Sequence, residues 1–178
     1  MKFETIAIHD GNLPEPRTGA VSVPIYQTST YFQDELGRDR GYEYSRTGNP
    51  TREALETALA LLEDGHYGLA YASGSAATVG ALQPLLRRGD RVVAGNDTYG
   101  GSYRIFEKLL RPWGVEIVYV DAADRDQVAA ALTPKTRLVW LESPTNPLLK
   151  LADLAAIADL ARRAGALLAV DNTFASPY

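Results

Sequence analysis

From Asn49 onward, short apolar runs alternate with stretches that repeat hydrophobic residues at i, i+3, i+4 and i+7. This rhythm restricts the possible fold more than any other feature of the chain. Asn49-Pro50 offers an N-cap followed by proline at the first helical position, where a missing N–H costs nothing. Leu55, Ala58, Leu59 and Leu62 then share one helical face, and Gly65 closes it. The apolar run 68–72 reads as a strand that turns at Ser73-Gly74-Ser75 into a helix over 76–86, stopped before Gly89. Residues 91–94 read as a strand, 96–101 as a polar loop, and Ile105, Phe106, Leu109 and Leu110 as a helical face leading to a strand over 115–120. Asp124 and Gln127 are spaced as a capping box for a helix ending near Leu132. A strand over 138–141, a helix through Leu154, Ile157, Ala158 and Ala161, and a last strand over 167–170 complete the series. Such alternation predicts an α/β fold, a mostly parallel sheet with helices on both faces.

Residues 1–50 break the rhythm. They hold Pro14, Pro16, Pro24 and Pro50 with Gly11, Gly19, Gly37, Gly41 and Gly48, and no sustained helical period. Tyr26, Tyr31, Phe32, Tyr42 and Tyr44 make the stretch too aromatic for a disordered tail. The expectation is an extended arm, 1–50, that orders against a neighbouring subunit, followed by a domain over 51–178. The sequence ends at Ser176-Pro177-Tyr178 just after a strand, so further chain, or a second chain, is expected to cover the sheet.

Charge and composition remove several functions. Lys+Arg number 18 against 22 Asp+Glu, a net charge of −4, without the clustered positive charge that nucleic acid requires. There is no cysteine, hence no disulfide, thiolate metal site or cysteine nucleophile. His9 and His66 alone are too few for zinc or Ser-His chemistry, so no metal is expected. No long apolar window and no signal-like start occur, and a soluble cytosolic protein without membrane contact is expected.

Ligands in open α/β sheets bind beyond the carboxyl ends of the strands, and three polar clusters fall there. Ser73-Gly74-Ser75-Ala76-Ala77 lets a backbone approach closely and offers helix N–H groups to an anion, though a plain serine-capped turn has the same residues. It matches neither the P-loop nor the G-x-G-x-x-G pattern. Asp171, at a strand end, calls for a positive or proton-donating partner, or simply caps the next loop. Tyr99, before Gly100-Gly101, can present its ring to an open pocket or lid the core. On the arm, Tyr44 and Arg46 suit a phosphate clamp or a surface ion pair. Jointly these parts suit a phosphorylated aromatic cofactor with a basic ring nitrogen, the form of pyridoxal 5′-phosphate (PLP).

Tyr44-Ser45-Arg46-x-x-Asn49-Pro50-Thr51, Ser73-Gly74-Ser75-Ala76-Ala77, Tyr99-Gly100-Gly101, Glu142-Ser143-Pro144-Thr145-Asn146-Pro147 and Asp171-Asn172-Thr173-Phe174-Ala175-Ser176-Pro177-Tyr178 occur in that order. With these motifs the chain resembles the Cys/Met-metabolism (transsulfuration) family of PLP enzymes, which includes cystathionine γ-synthase and cystathionine γ-lyase. The resemblance implies the N-terminal part of a fold-type-I PLP-dependent transferase large domain. It implies that Gly74 and Ser75 N–H groups hold the cofactor phosphate, joined by Tyr44 and Arg46 of a neighbouring subunit. Tyr99 would stack on the pyridine ring and assist proton transfer, and Asp171 would pair with the ring nitrogen. Thr173 and Asn146 would orient the ring or the bound amino acid, with Glu142 at the same rim. The resemblance also implies a homo-oligomer, at least a dimer because the site is shared, and a dimer of dimers as its full form.

The resemblance further implies a Schiff-base lysine in a Ser-x-Thr-Lys segment. Lys2, Lys108, Lys135 and Lys150 stand in no such segment and read as solvated surface charge. Residues 1–178 alone are therefore expected to be inactive, the lysine and the small C-terminal domain coming from further sequence or from a complementary chain. Methionine γ-lyases of the family carry cysteine where Gly101 stands, and Glu43 resembles the acidic residue with which cystathionine enzymes attract the distal ammonium. Both favour γ-replacement or γ-elimination on cystathionine- or O-acylhomoserine-type amino acids, with synthase and lyase left open. The alternatives are a non-catalytic assembly or binding module, another family activity such as methionine γ-lyase, and a generic nucleotide-binding α/β domain.

Overall fold

Side-chain alternation along two central strands sorts the core onto both faces of one sheet. The computed structural model describes residues 2–177 and divides into two units, one of residues 2–71 together with Pro177 and the other Ala72–Ser176. The second unit holds α3 (Gly74–Leu85), β1 (Arg91–Gly95), α4 (Gly100–Ile105), a π-helical turn (Phe106–Leu110), β2 (Glu116–Val120), α5 (Arg125–Ala131), β3 (Thr136–Glu142), α6 (Leu154–Arg163) and β4 (Leu167–Asp171). The strands are ordered β2-β1-β3-β4, and each neighbouring pair is parallel. Successive side chains of a strand face opposite ways. Val92, Ala94, Leu138 and Trp140 therefore meet Leu82 of α3 and Phe106 and Leu110 of the π turn. Val93, Val139 and Leu141 meet Val128 of α5 and Ile157 and Ala161 of α6 on the other face. Each large side chain so enclosed stabilises the fold by about 1.5–3 kcal/mol. The expected mostly parallel sheet with helices on both faces is what forms.

The strand order also positions a crevice. From β1 the chain moves outward to β2, then returns to the other side of β1 as β3. The segments leaving β1 and β3 turn to opposite faces, as the two core clusters show, which opens a gap beyond their carboxyl ends. β2 and β4 are the edges, and β4 is only half-buried along most of its length.

The first unit holds α1 (Phe3–His9) and α2 (Pro50–Leu62) joined by the arm. Asn49 caps α2 by accepting from Thr51 N–H (2.9 Å) and Arg52 N–H (3.4 Å), while its amide donates to the Tyr26 carbonyl (3.0 Å) and Ser45 Oγ (3.1 Å). The arm is held to α2 by side chains rather than a ladder: Thr51 Oγ1 accepts from Tyr26 N–H and donates to the Pro24 carbonyl, each at 2.9 Å. Asn49→Ala is expected to cost about 1–2 kcal/mol, read as a lowered midpoint in urea unfolding, and Asn49→Ser to recover only the capping share.

Three expectations need correction. Residues 68–72 form no strand: the Ala70 N–H donates to Glu56 Oε1 (2.8 Å), and a Cβ on Gly68 would lie 2.1 Å from the Glu56 carbonyl oxygen. The segment is seated on α2, which serves the backbone that a neighbouring strand would otherwise pair. The arm begins with a short helix, α1, which packs on α2. The polar loop after β1 ends sooner than expected, with Gly100 and Gly101 already in α4. Lys150 is a surface charge as expected, and its ammonium bonds Asp121 Oδ2 at 2.8 Å and holds that carboxyl below its ordinary range. Among the described residues no helix is long and apolar enough to cross a membrane.

Candidate active site at the carboxyl ends of β1, β3 and β4

Glu142, the last residue of β3, is a carboxylate at the crevice mouth with 5% exposure. Oε2 accepts from Thr98 Oγ1 (2.9 Å) and the Tyr99 N–H (2.7 Å), and Oε1 accepts from the Asn146 N–H (2.7 Å). A buried carboxylate is tolerated when donors surround it, and here both oxygens are engaged. One side chain thus ties the loop after β1 to the loop after β3. Asp97 repeats the link, accepting from Thr145 Oγ1 (2.5 Å) and the Leu148 N–H (3.3 Å).

α3 starts at the same mouth. Ser73 caps it by accepting from the Ala76 N–H (3.2 Å), which leaves the Gly74 and Ser75 N–H groups without partners among the described residues. Apart from its chain neighbours and its own helix backbone, no described atom lies within 4 Å of the place a Cβ on Gly74 would take. Open space in front of free helix N–H groups, in a helix twelve residues long, favours an anion.

Tyr99 is half-exposed and its ring lies on the first turn of α4. A Cβ on Gly101 would stand 2.2 Å from one ring carbon and 2.9 and 3.1 Å from two others, so only glycine admits this ring position. On the far side, Asp171 ends β4. Thr173 donates twice to Asp171 Oδ1, from its N–H (3.2 Å) and from its hydroxyl. The carboxylate is thereby oriented, and Oδ2 has no partner among the described residues.

Gly74, Ser75, Tyr99, Asn146, Asp171 and Thr173 all line one cleft of about 220 Å³. Glu43, Tyr44 and Arg46 belong to the first unit, where the Arg46 guanidinium sits 4.6 Å above the Tyr44 ring and Glu43 is exposed. Thr173 acts first on Asp171, an orienting role that the residue types alone did not indicate. Pro144 and Phe174, from the motifs, line it too, and two lining residues outside the motifs, Thr78 and Ser102, were not anticipated. Their signal was their spacing: Thr78 stands four residues after Gly74 and Ser102 three after Tyr99, each a helical step from a candidate.

A profile of the family described as "Cys/Met metabolism PLP-dependent enzyme" matches residues 4–178. A probable cystathionine gamma-synthase of Herpetosiphon aurantiacus is 55% identical over 99% of this chain and 55% of its own length. A cystathionine gamma-lyase of Bacillus subtilis is 51% identical over 100% of this chain and 47% of its own. The crystal structure of cystathionine gamma-lyase from Lactobacillus plantarum complexed with L-serine superposes with a TM-score of 0.93 at 50% identity, covering 100% of this chain and 46% of that one. The chain spans about half the length of the curated relatives it matches.

Proposed function

The chain belongs to the Cys/Met metabolism PLP-dependent enzyme family, and on that premise we propose that it forms part of an enzyme for γ-replacement or γ-elimination on cystathionine- or O-acylhomoserine-type amino acids. The observation that carries this reading is one cleft holding free helix N–H groups, an aromatic face and a half-engaged carboxylate. PLP is the family's cofactor, and the residues present fit it. The open space at Gly74 accepts a phosphate, and Asp171 Oδ2 has no competing partner within the chain. When bound, PLP supplies the electron sink that makes the Cα proton of an amino acid acidic.

The chain's own residues take definite parts in this reading. Asp171, oriented by Thr173, holds a proton at the ring nitrogen. Tyr99 covers the ring face, seated on Gly101. Asn146, its backbone fixed by Glu142, orients the ring or the bound amino acid. Tyr44 and Arg46, stacked on one another, reach the phosphate of a neighbouring copy, which makes the arm 1–50 a subunit contact and the enzyme at least a dimer. Glu43 meets the distal ammonium of the substrate. The synthase and lyase reactions stay side by side: relatives of both names match, at 55% and 51% identity, and no residue described here separates them. A cytosolic location accords with this metabolism and is proposed with it.

The test uses the full-length protein reconstituted with PLP. Given an O-acylhomoserine and cysteine, it should form cystathionine and release the carboxylate; given cystathionine and water, it should release cysteine, 2-oxobutyrate and ammonia. One of the two reactions should dominate, and production of methanethiol from methionine should be slower than either. A protein that binds PLP yet performs neither reaction would overturn the proposed activity while leaving the family assignment standing.

A further inference from the structure

Ser102, the third residue of α4, is only 2% exposed, and it lines the cleft together with Gly74, Ser75 and Thr78. A serine or threonine inside a helix commonly returns its hydroxyl proton to a carbonyl one turn earlier. Thr78 does so, donating to the Gly74 carbonyl at 3.0 Å. The Ser102 hydroxyl has no such bond, nor any other partner among the described residues, although its residue is almost wholly enclosed. Within the protein alone the residue has no evident purpose: alanine would suit the helix better, and the hydroxyl, left without a protein partner, keeps contact only with the cleft that it lines.

The cleft offers the missing partner. Its wall between α3 and α4 carries two unpaired N–H donors at Gly74 and Ser75, and Ser102 adds an unpaired hydroxyl one helical turn beyond Tyr99. Donors that converge without an acceptor suit an anion. The carboxylates of the same cleft leave this corner free: Glu142 is fully engaged with Thr98, Tyr99 and Asn146, and Asp171 is held by Thr173. We propose that Ser102 is a further binding residue, its hydroxyl donating to the phosphate group that the first turn of α3 receives. The proposal rests on the cofactor reading above and adds to it a side chain that contributes a phosphate donor from α4.

The experiment compares the full-length protein with its Ser102→Ala variant, both freed of ligand. PLP, pyridoxal (which lacks the phosphate) and inorganic phosphate serve as separate probes. Without ligand, Ser102→Ala should melt at the same temperature as the parent or higher, because no protein hydrogen bond is lost and alanine favours the helix. Its affinity for PLP should fall about tenfold, as for loss of one hydrogen bond to a charged group. Its stabilisation by inorganic phosphate should shrink, and its affinity for pyridoxal should not change. A lower melting temperature without ligand, with PLP affinity intact, would make Ser102 a structural residue and overturn the proposal. Equal loss for PLP and pyridoxal would also overturn it, placing the hydroxyl at the ring. A parent protein that binds neither PLP nor phosphate would remove the cofactor reading itself, and the proposal with it. Ser102→Gly gives an independent check, since it should lower PLP affinity as alanine does while losing helix stability.

Discussion

Replacing Gly101 with alanine is expected to lower turnover about a hundredfold while moving folding stability by no more than about 1 kcal/mol. The two effects separate because of what the new methyl would meet. Its nearest neighbours are carbons of the Tyr99 ring, at 2.2, 2.9 and 3.1 Å, and not backbone. That ring is half-exposed and can swing away, so the fold need not deform. Alanine also favours the helix, by up to about 1 kcal/mol over glycine, which offsets any residual crowding. What is lost is the ring's seat over the cleft, and a displacement of about 1 Å at a reacting centre can cost a hundredfold in rate. Steady-state kinetics together with thermal melts would test this: unchanged turnover would show that Tyr99 does not act from this position. In a Tyr99→Ala background the Gly101→Ala change should become silent.

Glu142→Ala is expected to cost about 3 kcal/mol of folding stability and to weaken PLP binding at the same time. The carboxylate takes three hydrogen bonds, two of them from backbone N–H groups, and its removal leaves those donors facing a cavity. Charge-assisted bonds contribute roughly 1.5–3 kcal/mol each when net effects are measured, though members of one network do not add. Glu142→Gln is the sharper probe. It keeps the shape and one acceptor but turns an amide NH₂ towards a donor on one side, so it should fall between parent and alanine. A denaturant series on the ligand-free protein would test the stability term alone. If Glu142→Gln matched the parent in both stability and PLP affinity, the carboxylate would not be what joins the two loops.

What was legible in the sequence depended on whether a residue's partners lie close to it along the chain or far from it. Helix starts were legible where their chemistry is local: Asn49 with Pro50 and Asp124 with Gln127, the cap in each case accepting from N–H groups two or three residues away. The strands were legible because the buried pairs Val92/Ala94 and Leu138/Trp140 keep a period of two. Glu142 was seen only as a rim residue, since its partners Thr98 and Tyr99 lie 44 and 43 positions earlier and meet it only once β1 and β3 pair. The stretch 68–72 looked like a strand because it is apolar and extended, and composition cannot reveal that the Glu56 side chain takes the Ala70 N–H. Ser102 offered only its spacing from Tyr99 for a similar reason: a serine in a helix reads as solvent-facing until α3 is laid against α4.

The last strand has a practical consequence. Leu167, Leu168, Ala169 and Val170 form an apolar margin of the sheet whose outward amide and carbonyl groups find no ladder among the described residues. Bare margins of this kind recruit whatever extended peptide is nearby, including identical molecules. A sample of residues 1–178 handled by itself would therefore tend to self-associate through β4, and its solubility would report on that uncovered row of backbone before it reported on chemistry.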